Sequence, residues 1–496
     1  MFTDFNNNYY EFEIPLEVTS WGENLDTEVW PENNELNLEF ELLQLAKQDR
    51  NLAVAMGLHE SNNVPYSTLD GRVTVRGNPN LSAVKTIMLG VRNLKENGET
   101  VCGEVWFNEL RLTDFDEYGG WATNARVNGR LADFANVNIA GNMSTVGFGS
   151  IEQKLQERQK YNARQYDLAS TFSLDKFFPE ETGLKIPLYV GVSEAVKDPH
   201  YNPLDPDITL SKSLDNLETK AEKDELKNIV QDYTSRKSIN LSNVRKQKNP
   251  GAVTVAKSKI YDIENWSMSY GYTEVMSRDI NTEYNLNKSY QAALNYTYSS
   301  RPKNYKPFSK VKLFRNKYFK LLKDFNYHLL PKSITFQTDF DRHYNARKIR
   351  NISNNNMLIA PTYNKSFYWN RNYGFKHDIT RMLKVNFNVR NSASIDEPSG
   401  RLDKEDSDYS LKMDTIWDNV LDFGRSTLYH HDLNVTYKVP INKFPFTDWI
   451  TMNTKYSANY DWTAAPKALS RLGNTIQNSN TKQINGTLNF TSLYNK

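Results

Sequence analysis

The residues best suited to chemistry are few and poorly placed for it. His430 and His431 stand side by side in "YHHDL", and His377 lies alone in "FKHDI". Neighbouring side chains on a strand point to opposite faces, so the adjacent pair cannot share one metal ion. The run "SIDEPSGRLDKEDSD" (394–408) gathers Asp396, Glu397, Asp403, Glu405, Asp406 and Asp408 around Pro398 and Gly400. It lacks EF-hand spacing and reads as a solvated loop. "GFGS" at 147–150 lacks the strand, helix and ribose-binding acid of a dinucleotide site. No GxSxG, P-loop or HExxH occurs, and the plentiful carboxylates single out no glycosidase pair. Cys102 is the single cysteine, which excludes an internal disulfide and a Cys-rich metal site. The expectation is a protein that is not an enzyme, with no catalytic, cofactor-binding or metal-ligating residue.

What the chain does offer is patterned surface. Its 496 residues are 39% hydrophobic and 12% aromatic, with 29 Tyr and 24 Phe, and roughly one residue in nine is Asn. The mean hydropathy of -0.69 argues against large dry cores. Lys plus Arg (61) nearly cancels Asp plus Glu (59), so charge gives no case for a nucleic-acid partner. No stretch approaches the roughly 20 apolar residues of a membrane-spanning helix, which leaves a β-barrel as the only way across a bilayer. The start, "MFTDFNNNYYEFEIPL", has no signal-peptide pattern, and the end follows directly on an alternating run. Both suit an internal fragment of a longer protein.

The alternation is clearest in "NTEYNLNKSYQAALNYTYSS" (281–300). Tyr284, Leu286, Tyr290, Ala292, Leu294, Tyr296 and Tyr298 share one parity; Asn285, Asn287, Ser289, Gln291, Asn295 and Thr297 share the other. Such a strand meets two environments. Similar runs recur at 137–143, 166–174, 184–192, 265–275, 333–344, 367–375, 383–395, 433–439, 450–462 and 484–490. Those at 166–174 and 184–192, joined by "DKFFPEETG", read as a hairpin. Tyr296 and Tyr298, Phe367 and Trp369, and Tyr460 and Trp462 stand where interfacial aromatic girdles belong. Helical spacing marks inserts near 213–233, 314–331 and 414–425. Residues 1–113 carry apolar residues on both parities and suit a jelly-roll-like soluble β domain, a cap or periplasmic insert, with strands in "YYEFEIPL", "VKTIMLGVRN" and "GEVWFNELRL".

Residues 114–496 thus read as antiparallel transmembrane β-barrel strands with helical inserts, in an all-β chain. Two other architectures fit parts of the pattern: a soluble or surface glycan-binding β-sandwich, and a small-molecule outer-membrane transporter. Sandwich strands are far shorter than the alternation from Thr282 to Tyr298, and residues 1–113 carry no sign of a transporter plug. In the barrel reading Asn285, Asn287, Gln291 and Asn295 face the lumen, while Tyr290, Leu294 and Tyr296 face lipid.

Several unusual stretches occur together: "YYEFEIPL", "RGNPNLSAVKTIMLGVRN", "EVWFNELRLTDFDEYGGWA", "LADFANV", "GFGSIEQK" and "RLGNTIQNSNT". In combination they resemble the SprA/Sov family, the giant outer-membrane translocons of the type 9 secretion system, associated with gliding motility in some bacteria. Trp106, Asn108, Glu109, Arg111, Gly119, Gly120 and Trp121 carry the most specific part of that resemblance, with no role assigned to each. The resemblance implies a segment of a very large single-chain barrel in the bacterial outer membrane, with periplasmic or extracellular insert domains. It further implies passage of folded cargo bearing C-terminal signals, a plug protein and a cargo-receiving barrel as partners, and indirect drive from inner-membrane motor components. Too short to close such a pore, the chain alone would form an open or C-shaped segment that neither inserts nor conducts, because unpaired edges are costly in lipid.

Overall fold

A computed structural model of the chain describes residues 2–3, 8–93, 102–114, 119–247, 259–352 and 357–495. The dominant feature is one antiparallel sheet built in chain order. Its long strands are β1 (Ala122–Leu131), β2 (Ala135–Ser144), β3 (Tyr161–Ser173), β4 (Pro187–Pro199), β5 (Asp232–Lys246), β6 (Trp266–Arg278), β7 (Thr282–Ser299), β8 (Ser333–Ile349), β9 (Thr362–Asp378), β10 (Leu383–Ser394), β11 (Arg425–Val439), β12 (Ile450–Thr463) and β13 (Thr475–Leu488). Each pairs with its sequence neighbours, and a two-residue strand, Leu184–Lys185, pairs beside β4 with the end of β5. No pairing joins β1 to β13 among the described residues, so the sheet has two open edges.

The meander sorts its connections onto two rims. Rim one carries 132–134, 174–186, 247, 259–265, 300–332, 379–382 and 440–449; rim two carries 145–160, 200–231, 279–281, 350–352, 357–361, 395–424 and 464–474. The hairpin read from 166–174 and 184–192 forms as β3–β4, in continuous register from Ser173–Pro187 to Tyr161–Pro199.

The helices sit in the connections. Leu210–Asp215 and Lys220–Val230 fill the β4–β5 connection; the second starts in a capping box, with Thr219 and Glu222 satisfying each other's backbone N–H groups. Helix Tyr409–Leu421 lies in the β10–β11 connection and stops where Phe423 (φ 63) and Gly424 (φ 68) turn left-handed. The 300–332 connection holds 3₁₀ turns, a one-turn helix, Lys320–Lys323, and a two-stranded ribbon of Asn304–Tyr305 with Tyr327–His328. Phe308 packs there against Phe314 and Phe325, and this aromatic clustering, rather than a long helix, organises the loop.

Residues 8–93 form a small module that departs from a jelly roll. Instead of two packed sheets there is one five-stranded sheet of short strands, completed by the backbone of Phe2–Thr3, with helix Phe40–Ala55 packed on it. Tyr10, Leu43, Ala46, Val73 and Val75 are its buried core. "YYEFEIPL" supplies strand Tyr9–Phe12, whereas "VKTIMLGVRN" supplies only Thr86–Ile87. "GEVWFNELRL" forms no strand: residues 102–114 are extended, exposed and unpaired in any sheet among the described residues. Its many apolar side chains, Trp106, Phe107, Leu110 and Leu112 among them, stand open to solvent.

Candidate functional site

Strand register turns the parity of single strands into two continuous surfaces. One row of directly opposed residues runs Leu131, Ala135, Phe172, Leu188, Leu241, Tyr270, Ala292, Phe340, Trp369, Ala393 across β1 to β10 without a polar member. On the opposite face a row runs Asn128, Asn138, Ala169, Gly191, Ser238, Thr273, Ser289, His343, Ser366, with no large apolar side chain. The alternation of the best strand is therefore a property of the sheet. It fades at β13, where Asn478, Asn480 and Lys482 occupy the apolar parity.

The polar face is laced by side chains that satisfy one another across strands. Asn345 Nδ2 donates to Asn285 Oδ1 (2.9 Å) and Asn287 Oδ1 (2.6 Å). Asn370 donates to Asp339 (2.8 Å) and accepts from Ser392 (2.6 Å). Asn388 donates to Asp432 (3.0 Å), Asn434 donates to the same carboxylate (3.0 Å), and Ser457 donates to Asn434 (2.7 Å). Directly opposed pairs of this kind contribute roughly 0.2–1 kcal/mol each. The Asn-rich composition thus builds a hydrated, nearly neutral wall. His430 meets Asp461 through Nδ1 (2.5 Å) on this face, while the adjacent His431 stacks on Tyr460 at 5.1 Å on the other. Among the described residues no group of three or more His, Cys, Asp or Glu could hold a metal ion.

The residues singled out on β7 divide unevenly. Asn287 and Gln291 are exposed on the polar face, while Asn285 and Asn295 are half-buried there. On the apolar face Leu294 is open, and Tyr290 packs against Tyr272 at 4.9 Å with the Arg342 guanidinium over its ring. Tyr296 is not an open face residue. It is 8% exposed, its hydroxyl donates to the Ile260 carbonyl (2.6 Å), and Trp266 lies against its ring. The 259–265 segment of rim one covers it, which the parity of β7 alone cannot reveal.

A second cover lies toward rim two. The 395–424 connection folds as a strap over the apolar face of β8 to β10. Arg342 makes a two-pronged ion pair with Glu397 (2.5 and 2.9 Å), whose side chain is almost fully buried. Phe423 stacks on Trp369 (5.4 Å), Trp369 stacks on Phe340 (4.7 Å), and Arg371 caps the stack from 4.7 Å above Trp369. Trp369, a girdle candidate by sequence, is thus part of a protein-covered stack. Nearby, Lys237 and Lys288 flank Glu274 at 3.9 and 3.6 Å, so this half of the apolar parity is partly charged.

Of the motif residues, Trp106, Asn108, Glu109 and Arg111 lie on the exposed 102–114 stretch, where Glu109 and Arg111 pair at 3.5 Å. Gly119, Gly120 and Trp121 lead into β1, and Gly120 has a visible reason to be glycine. A Cβ there would fall 2.0 Å from the Phe148 nitrogen and 2.5 Å from the Val146 oxygen. "GGWA" and "GFGS" therefore meet backbone to backbone, fixed by Trp121 N–H donating to Thr145 Oγ1 (2.9 Å).

Sequence reading missed the most buried charges. Lys47 and Arg50 of the small module are both 0% exposed; Lys47 pairs with Asp205 of the 200–231 connection on rim two, and Arg50 lies within the reach of the same carboxylate's charge. The signal was present: Leu43, Ala46, Lys47 and Arg50 share one helical face, an apolar stripe interrupted by two cations.

The family model described as SprA_N, motility related/secretion protein, matches residues 1–214. That span holds the small module, β1 to β4 and the part of rim two on which the module docks. Comparison with curated proteins gave no match.

Proposed function

From a chain that belongs, by residues 1–214, to the SprA family of motility-related and secretion proteins, we infer a wall segment of an outer-membrane protein-conducting translocon. The observation that supports this reading best is the pair of register-linked faces, apolar on one side and Asn-, Ser- and Thr-rich on the other, carried across antiparallel strands. An antiparallel sheet with such faces suits lipid on one side and water on the other. No helix is long and apolar enough to cross a membrane, and strands are unaffected by that criterion.

In this reading the polar wall acts by what it does not do. Its amide and hydroxyl groups are already engaged with each other, so passing cargo meets a hydrated surface without strong charge and keeps its own hydration. A ring of fixed charge would select small ions instead. No covalent step falls to this chain, and it needs no cofactor. The open edges at β1 and β13 require further strands before the sheet can stand in lipid. The wider machinery belongs to the same proposal: type 9 secretion, cargo with C-terminal signals, a plug protein, a cargo-receiving barrel and inner-membrane motors.

The test is made in the complete protein in its native membrane, with Cys102 replaced by Ser. Single cysteines at Gln291 and Leu294 are compared for reaction with a water-soluble thiol reagent and for contact with lipid-borne quenchers. Gln291→Cys should react from water and Leu294→Cys should contact lipid. Equal aqueous reactivity at both, or absence of the protein from the outer-membrane fraction, overturns the reading.

A further inference from the structure

The joint between the small module and rim two is built like a receptor with its ligand in place. Lys47 Nζ pairs with Asp205 Oδ1 (3.0 Å) and donates to the backbone carbonyls of Pro79 (2.9 Å) and Pro206. Asn51 donates to Asp205 Oδ2 (2.5 Å). Tyr10 Oη donates to Asp207 Oδ2 (3.0 Å), and Leu81 N–H donates to both oxygens of that carboxylate (2.9 and 3.0 Å). The two carboxylates reach across 126 to 197 residues of chain. Each is read by more than one donor.

The occupant is a preformed turn. Tyr201 bridges to Thr209, Asn202 Oδ1 accepts from Leu204 N–H, and Asp207 holds a left-handed φ of 75°. Both Asp side chains, one on either side of Pro206 in sequence, meet groups of the small module. On the receiving side, Arg50 is fully buried and donates to Asn51, Asn62 and Gly77, yet its Nη2 has no hydrogen-bond partner among the described residues. Two buried cations, one with a donor to spare, are a costly way to fill a core unless an acid is there to meet them. Burial pushes Asp207 up and Lys47 down from their ordinary values, as expected where charges are held away from water.

We propose that the small module is a receptor for an acidic turn, with Tyr10, Lys47, Arg50, Asn51 and the Leu81 N–H as its socket and Asp205-Pro206-Asp207 as its occupant in cis. The partner chemistry is a Pro-centred turn whose two carboxylates flank the Pro in sequence. The module is thereby tethered to rim two through a replaceable contact as well as through the chain. This inference holds whether or not the sheet faces lipid.

The test uses the full chain with Cys102 replaced by Ser. Cysteines at Glu41 and Lys212, an exposed pair 3.2 Å apart across the same joint and outside the socket, should be bridged by a short bis-alkylating reagent, and a folded protein that gives no cross-link overturns the joint. The pair Asp205→Asn and Asp207→Asn should vacate the socket. That variant should bind a labelled peptide of residues 201–209, while the unaltered chain, its socket filled, binds it at least tenfold more weakly. Adding Lys47→Met should weaken peptide binding about a hundredfold, the scale of breaking a buried ion pair. A folded double-Asn variant that ignores the peptide, or one that binds it equally well without Lys47, overturns the proposal.

Discussion

Replacing Leu294 by Arg separates a lipid-facing sheet from a water-facing one. Leu294 lies directly opposite Met268 on β6 and Thr338 on β8, on the apolar face, and is open rather than covered. It stands four residues from Tyr298 along β7. At about 3.3 Å per residue and a tilt near 40°, that is about 10 Å of depth. In an apolar band about 25 Å tall this is close to the midplane, where Arg costs about 2–4 kcal/mol. Each 1.4 kcal/mol is about a tenfold change in equilibrium, so the assembly equilibrium constant should fall by roughly 30-fold or more. The control is Gln291→Arg. Gln291 is exposed on the other face and lies opposite Asp341, with its side-chain nitrogen 3.4 Å from that carboxylate, so a cation there should be neutral or slightly favourable. The assay is urea-dependent assembly of the complete protein in native-like bilayers, followed by protease protection. Equal losses for the two variants would refute the assignment of faces.

Three further outcomes follow from individual contacts. Gly120→Ala forces a Cβ against the Phe148 and Val146 backbone, so the β1 edge should open, costing about 1–3 kcal/mol and seen as faster amide exchange at Trp121 and Thr145. Arg342→Met leaves the nearly buried Glu397 unpaired and should release the strap, costing about 3–5 kcal/mol and exposing 395–424 to protease, whereas Arg342→Lys should rescue it only in part. On rim one, the Lys443 ammonium 2.9 Å from Asp324 holds that carboxyl below its ordinary value of 3.8. A depressed carboxyl stabilises the fold above its unfolded value and loses that effect as pH falls toward the folded one. Acid titration should therefore loosen the 300–332 loop only below about pH 4, and Lys443→Met should abolish that step by NMR.

How much of this was legible depends on whether each strand has one clear apolar parity. β7, β8 and β12 do, and their runs fall inside the observed strands. β1 (ATNARVNGRL) and β5 (DYTSRKSINLSNVRK) escaped because Thr123 and Gly129 in the first and Ser235 and Lys237 in the second interrupt their apolar parity, and neighbours supply the environment that defines them. Register also carried what periodicity could not. The row from Leu131 to Ala393 exists only once the pairings are known. Covers were the least legible feature: nothing local to Tyr296 announces Ile260, and nothing local to Trp369 announces Phe423. In the small module, strand propensity in "VKTIMLGVRN" and "GEVWFNELRL" was real, but a lone run needs a partner strand, and residues 102–114 have none among the described residues.

Strand length connects these observations. β1 and β2 have ten residues each, about 33 Å of extended chain, which at a 40° tilt rises about 25 Å and matches an apolar band. β7, with 18 residues, rises about 45 Å on the same arithmetic, and β8 and β9 with 17 are close behind. On the proposed reading the middle of the sheet must therefore stand roughly 20 Å clear of the bilayer. The apolar parity shows where. Toward rim two it carries Lys237, Glu274 and Lys288, the Arg342–Glu397 pair and the strap, none of which suits hydrocarbon. Rim two also carries the 200–231 connection and, through Asp205 and Asp207, the small module. The tall side of the wall, the strap and the docked module thus share one rim.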